Sequence, residues 1–405
     1  MQNDKEIYVY FSSNRNDILM GKLYIENLRG KEIYSFEYDE KYLSNEKNNI
    51  YIDPEIKFYS GRQWKTNDIV NSSFGIFLDS APDRWGRLLL KRKENEIAKS
   101  EKRNPKTLYD SDYLLGVSDF TRMGAIRFKK ELGGEFVDNS DNLVPPMARL
   151  RELESASLAF ENEEVKEKYE ILLSPGSSLG GARPKANVID ENGNIYIAKF
   201  PSKNDEYDMG KLEKKVYDLA KLCGLNVVES KLYSFSKHGS TFLVKRFDRE
   251  RDKRIHFESA MTLLGKNDGD DNTSYLELAS FIKSFGTNVK ENLQELFKRI
   301  AFNILVKNTD DHLRNHGFLL KDGKWVLSPL YDVNYNKNGK YLHLLINEND
   351  SDLDTDILID TAKYYELSKD EGNKIVKDFK RIITDSKIVW KYNLRGKLWN
   401  QTSTK

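Results

Sequence analysis

The first stretch of the chain is rich in Ile, Tyr and Phe. IYVYF (7–11), LMGKLYIENL (19–28) and KEIYSFEY (31–38) are separated by Asn-Arg-Asn and Arg-Gly. Aromatic and β-branched runs bounded by such turn residues predict strands over residues 6–60. The pattern then becomes helical from about Pro82 to Lys102, with Trp85, Leu88, Leu89 and Leu90 on the apolar side. The other side is basic (Arg84, Arg87, Lys91, Arg92, Lys93), interleaved with Glu94 and Glu96, and reads as a solvated face. YLLGVSDFTRMGAIRF, within residues 109–130, predicts a helix, a loop and the entry to a strand. A charged helical region from Met147 to Tyr169 ends at an abrupt change of composition, SPGSSLGGARPKANVID. Two strands follow, KANVI and IYIAKF, across a turn from Asp190 to Asn194. Leu212, Val216, Leu219, Ala220 and Cys223 then recur at helical spacing between Tyr207 and Cys223, and Gly224 stands in the usual C-cap position. ESKLYSF and STFLVKRF predict two more strands. From His256 onward the pattern is mostly helical, except for FLL and WVL, which Asp322-Gly323 joins as a hairpin. The last helices, about Asp354–Tyr365 and Lys369–Trp390, are amphipathic and read as packing.

With 405 residues, the prior is two or three domains. The 22 Tyr and 20 Phe, in a chain that is 39% hydrophobic, supply enough apolar surface for a globular core. Sixty-five basic against 64 acidic residues leave a net charge of +1, which argues against nucleic-acid binding by bulk charge. One cysteine supports neither a disulfide framework nor a zinc site and fits a reducing cytosol. MQNDKEIYVYF lacks a basic stretch followed by an apolar run, so no signal peptide is expected. No apolar run approaches membrane-spanning length, and a cytoplasmic protein without a membrane partner is expected.

The chemistry concentrates between Asn303 and Tyr335. A polar loop, Asn308 to His316, carries Asp310 and Asn315, and Asp332 follows the hairpin. Asp-x-x-x-x-Asn is the spacing of a protein-kinase catalytic loop, where the Asp takes the substrate hydroxyl proton and the Asn and a later Asp hold magnesium. The residue types suit the task, since magnesium on a triphosphate needs hard oxygen ligands and the attacking hydroxyl needs a carboxylate beside it. Asp and Asn also cap turns everywhere, so this stretch does not stand alone. Upstream, Lys199 ends the strand IYIAKF, and Glu213 on the next helix is its candidate partner. SSLGGARPK is a candidate phosphate cradle, although no Gly-Lys-Ser/Thr follows and a plain turn is the commoner meaning of Gly-Gly. Loop, lysine strand, helix, two strands and then helices with the acidic loops is the order of the bilobal kinase plan.

Here the chain resembles the HipA family of serine/threonine kinase toxins over nearly its whole length. The stretches that carry the resemblance are FLDSAPDRWGRLLLKR (77–92), DYLLGVSDFTRMGAIRF (112–128), SSLGGARPKANV (177–188), FLVKRFDR (242–249), NTDDHLRNHGF (308–318), LSPLYDV (327–333) and LHLLIN (342–347). The resemblance implies an α+β, bilobal protein-kinase-like fold. An N-terminal β-rich domain (1–108) would precede an N-lobe (109–255) and a helical C-lobe (256–405). It implies ATP and Mg2+ as cofactors, Asp310 as catalytic base, and Asn315 and Asp332 as metal ligands. ATP would meet Gly180, Gly181, Ala182, Lys185, Lys199, Lys245, Phe247, His312, Asn315 and Tyr331. The autophosphorylated loop serine would be Ser178, with Ser177 as second choice, and its phosphate would eject the loop. Implied partners are a small helix-turn-helix antitoxin (HipB-like), operator DNA only through that antitoxin, and a substrate of the glutamyl-tRNA synthetase type. Two departures stand out: Arg183-Pro184 replaces the family's more familiar Gln-Glu, and Asp311 stands where Gly is common. A small-molecule or lipid kinase of the same superfold, and a catalytically silent co-repressor, remain alternatives.

Overall fold

The computed structural model describes residues 4–13, 16–66, 73–138, 144–173, 183–250, 253–270 and 272–386. Strands β1 (Lys5–Ser13), β2 (Asn16–Leu28), β3 (Lys31–Tyr38), β4 (Gln63–Trp64) and β5 (Ile126–Lys129) form one antiparallel sheet ordered β4-β3-β2-β1-β5. One face of it points inward through Ile7, Val9 and Phe11 and through Tyr34, Phe36 and Tyr38, as the period-two geometry of a strand requires. Gly21 is obligatory here: a Cβ at that position would meet the Glu37 carbonyl oxygen at 2.2 Å. The fifth strand comes from residues beyond 108, so the sheet draws on the segment that the sequence places in the next domain.

Helices α1 (Glu40–Leu43), α2 (Gly75–Asp79), α3 (Arg84–Ser100), α4 (Asp110–Leu115), α5 (Leu150–Glu161) and α6 (Glu170–Leu173) lead to the second sheet. That sheet comprises β6 (Lys185–Ile189), β7 (Ile195–Lys199), β8 (Ser230–Ser236) and β9 (Gly239–Lys245), ordered β6-β7-β9-β8, with α7 (Met209–Leu222) between β7 and β8 in sequence. Gly224 follows α7 at φ +73, the left-handed conformation that its C-cap role predicts. On α3, Trp85 and Leu89 are buried as expected, but Leu88 is 47% exposed and lies off the apolar stripe. On the charged face of α3, Arg87 pairs with Asp110, and Glu94 pairs with Arg103 beyond the helix.

After a small hairpin, β10 (Arg249–Glu250) and β11 (Lys253–Arg254), the chain is largely helical. β12 (Phe257–Ser259) and α8 (Ala260–Leu263) precede the long α9 (Tyr275–Phe285) and α10 (Val289–Val306). The predicted hairpin is present as β13 (Gly317–Lys321) and β14 (Lys324–Leu327), with Asp322 and Gly323 at φ +50 and +74. It is not isolated, because β12 pairs with β13 to make a third sheet. Only three residues of β12 pair, and its partner lies some sixty residues on, so no local pattern marks it. The last described helices are α11 (Thr355–Asp360) and α12 (Lys369–Asp385), and residues 387–390 of the helix expected to reach Trp390 lie outside the described residues. The fold is thus α+β and bilobal, with the β6–β9 sheet and α7 facing the helical lobe across a cleft, as expected. Among the described residues no helix is long and apolar enough to cross a membrane.

Candidate functional site

The cleft is built around Lys199. It ends β7 with its side chain almost wholly buried, and its Nζ lies 2.6 Å from Glu213 Oε1 and 2.7 Å from Asp332 Oδ1. A strand, the helix that follows it and a loop more than a hundred residues further on therefore converge on one ammonium. Burial alone would favour loss of its proton, but the Asp332 and Glu213 carboxylates outweigh that and raise its pKa well above the usual range. Burial likewise opposes ionisation of Asp332, and Lys199 overcomes it, holding the carboxyl below its ordinary value. Both groups are charged at neutral pH.

Asp332 is held in an unusual backbone conformation, φ +53. A non-glycine residue there costs energy and persists where its surroundings enforce it. Two contacts do so: the Asp332 N–H donates to the Tyr217 hydroxyl at 3.1 Å, and Asn334 Nδ2 donates to Asp332 Oδ1 at 3.2 Å. Tyr217 was not anticipated. It sits four residues after Glu213 on α7, on the same helical face, and that spacing was the available signal.

Across the cleft, α10 stops where Lys307 turns left-handed at φ +55, releasing the polar loop. The two neighbouring acids in it face opposite ways. Asp310 is exposed, whereas Asp311 is 2% exposed and accepts from Tyr275 and Asn303. Asp311 is thus not a second exposed carboxylate beside Asp310. Burial works against its charge, but the His316 ring and the Tyr275 hydroxyl hold its pKa below the ordinary value. Asn315 Nδ2 donates to the Asp310 carbonyl oxygen at 2.8 Å, which turns the amide Oδ1 away from that contact. Tyr331 donates to the Arg314 carbonyl oxygen at 2.6 Å and packs on Phe247, with ring centroids 5.5 Å apart. The His312 ring stands edge-on to His343 at 5.8 Å.

Lys185 lies directly opposite Lys199 in the β6–β7 register. It is 2% exposed, and its Nζ is 2.6 Å from Asp83 Oδ2, the N-cap of α3. Trp85 Nε1 on the same helix donates to the Lys185 carbonyl oxygen at 2.9 Å. The N-terminal segment thus holds the strand that follows the glycine-rich stretch of sequence, a contact that no short-range pattern foreshadows. At the end of β9, the N–H groups of Lys245 and Arg246 are engaged by the carbonyl oxygens of Glu229 and Ile195. Ser177, Ser178, Gly180, Gly181 and Ala182 lie outside the described residues.

Asn315 and Asp332 offer an amide oxygen and a carboxylate, a hard donor pair that suits magnesium. Among the described residues no group of three or more His, Cys, Asp or Glu could hold a metal by itself.

Lysine, helix glutamate and two acidic loops around one cleft define a protein-kinase-like site. Residues 177–386 match the family described as the HipA-like C-terminal domain, more than half of the chain, and the protein belongs to the HipA family. It is 31% identical over 180 residues to a Haemophilus influenzae protein named "Putative kinase", covering 39% of this chain and 52% of that one. A Sinorhizobium fredii protein, "Putative kinase Y4dM", is 26% identical over 156 residues, 35% of this chain and 37% of that one. The chain spans about half the length, or less, of the curated relatives it matches. The fold is similar to that of Shewanella oneidensis HipA, solved with HipB and its operator DNA. That match has a TM-score of 0.64 at 17% identity, over 94% of this chain and 89% of that one.

Proposed function

We propose that the protein is an ATP- and magnesium-dependent serine/threonine protein kinase that acts as the toxin of a toxin–antitoxin pair in the cytoplasm. The observation that carries this reading is Lys199 held between Glu213 and Asp332, across the cleft from an exposed Asp310. In this reading Lys199 and Lys185 face the phosphates, Asn315 and Asp332 supply the oxygens for magnesium, and the metal neutralises charge on the transferring phosphoryl group. Asp310 orients the attacking hydroxyl and takes its proton. Phe247, Tyr331, His312 and the Lys245 strand border the nucleotide, and Ser178, or failing it Ser177, is the self-modified serine. Catalysis is then positioning and charge neutralisation rather than covalent chemistry.

A helix-turn-helix antitoxin is proposed as partner, supported by the family and by the likeness to a HipA solved with HipB and operator DNA. DNA contact through that partner suits a net charge of only +1. An aminoacyl-tRNA synthetase of the glutamyl type is proposed as substrate on the family resemblance.

The test is intact mass of unmodified wild type and Asp310→Ala after incubation with ATP and magnesium, followed by site mapping. One added phosphate at Ser178 in wild type alone supports the kinase and its self-modified loop. No phosphate on the chain or on the synthetase, despite nucleotide binding, overturns it in favour of a silent binding module.

A further inference from the structure

We infer that Asp311 is the positioning residue of this site, a buried carboxylate that fixes the Asp310 loop and registers it against Asp332. The inference rests on the kinase reading above. One oxygen of Asp311 gathers three partners, from two helices and from the loop's own far end. Oδ2 accepts from Tyr275 Oη on α9 at 2.5 Å and from Asn303 Nδ2 on α10 at 2.6 Å, and His316 Nε2 lies 3.0 Å away. The network continues to the second acidic loop. Asn308 Nδ2 donates to Asn303 Oδ1 at 3.1 Å, the Asn334 N–H donates to Asn308 Oδ1 at 3.3 Å, and Asn334 Nδ2 reaches Asp332 Oδ1 at 3.2 Å.

Asn303 is 0% exposed, Asn308 1% and Asp311 2%, so this chain of polar groups runs through the interior. A buried carboxylate is a costly way to fill space, and an apolar residue would pack as well. What the carboxylate adds is geometry: with Asp311 pinned inward, the preceding residue along the backbone, Asp310, is left exposed. Asn315 then braces the Asp310 carbonyl from the other side. Because the base and the metal-ligand candidate sit on separate loops, their separation is only as fixed as the network joining them. A misplacement of about 1 Å is enough to cost on the order of a hundredfold in rate.

The experiment compares wild type, Tyr275→Phe, Asp311→Asn and Asp311→Ala by kcat and KM for ATP with magnesium, thermal melting, and binding of Mg·ATP. Tyr275→Phe removes one donor at constant shape, and Asp311→Asn keeps one acceptor oxygen, so both remain informative if Asp311→Ala fails to fold. We expect Tyr275→Phe to lower kcat about tenfold and Asp311→Ala about a hundredfold. Asp311→Asn should fall between them, with KM for ATP within about threefold of wild type. A folded Tyr275→Phe and a folded Asp311→Asn that both keep kcat within about twofold overturn the inference and leave the kinase reading standing. Loss of kcat that only tracks a lower melting temperature, without rescue by Asn, also overturns it. A wild type that neither binds Mg·ATP nor transfers phosphate overturns the kinase reading, and this inference with it.

Discussion

Lys199 and Asp310 make opposite demands on the molecule, and substitution separates them. Lys199→Met leaves the buried Glu213 and the partly buried Asp332 without the cation between them. Removing one member of a buried ion pair costs about 3 kcal/mol or more, so urea unfolding should show a loss of that order together with lost phosphate transfer. Asp310→Asn alters an exposed side chain and should leave stability within about 0.5 kcal/mol while transfer is lost. Equal stability losses in the two variants would contradict the burial argument. Cys223 illustrates the inert case. Burial pushes its thiol up to about 12, so at about pH 8 an Ellman-type reagent should find almost no thiol until strong guanidinium exposes it. Fast labelling of the native protein would show that the α7 C-terminus opens.

At the scale of elements, the sheet and helix that carry Lys199 and Glu213 were legible because their signals are local. A two-strand pattern, a helical repeat from Leu212 to Cys223 and a glycine stop lie within forty residues of one another. The Asp322-Gly323 hairpin was legible for the same reason. β12 was not, and neither were Asp83–Lys185 or Tyr275–Asp311, because each is a meeting of distant segments without a spacing of its own, while Tyr217 had only its helical spacing from Glu213 to mark it. The nearest thing to a signal for Asp311 was its departure from the glycine common in the family. Another remote contact is Asp53, which caps α2 from outside by accepting the Ile76 N–H at 3.1 Å and also accepts the Glu55 N–H at 2.9 Å. Burial pushes its carboxyl up from 3.8 to about 6. The folded state therefore holds the proton more tightly than the unfolded chain, and that contribution is full below 3.8 and lost as pH rises through 6. Asp53→Asn stays neutral throughout, so its stability relative to wild type should improve by up to about 3 kcal/mol between pH 4 and 7. Denaturant melts at the two pH values read this, and an unchanged difference would place the Asp53 pKa near its ordinary value.

At the scale of the whole molecule, the N-terminal sheet is part of the same interior as the helical lobe. One continuous cluster of buried side chains runs from Ile7, Val9, Phe36 and Phe77 to Tyr275, Phe281, Phe302 and Phe318. The polar ties run the same way. Trp325 Nε1 on β14 donates to the Tyr51 carbonyl oxygen at 2.8 Å, and Asp79 on α2 accepts the Ser259 N–H at 2.7 Å. Ser259 pairs with Gly317, and Ala260 donates to the His316 carbonyl oxygen at 2.7 Å, so the support reaches the loop that carries Asp310 and Asn315. A fragment beginning at residue 109 would lose β1 from the edge of β5, Tyr51 from Trp325, Asp83 from Lys185 and the apolar face that covers α9. Buried donors left unpaired cost about 1–3 kcal/mol each, and losses of that kind exceed the margin by which an ordinary domain is folded. We expect residues 109–405 expressed alone to bind a hydrophobic dye, melt without a cooperative transition and fail to bind Mg·ATP, while the full chain melts sharply and binds it. A fragment that melts cooperatively and binds nucleotide like the full chain would mean that the first 108 residues sit on the kinase lobes without supporting them, and their role would then have to be sought at a partner's surface.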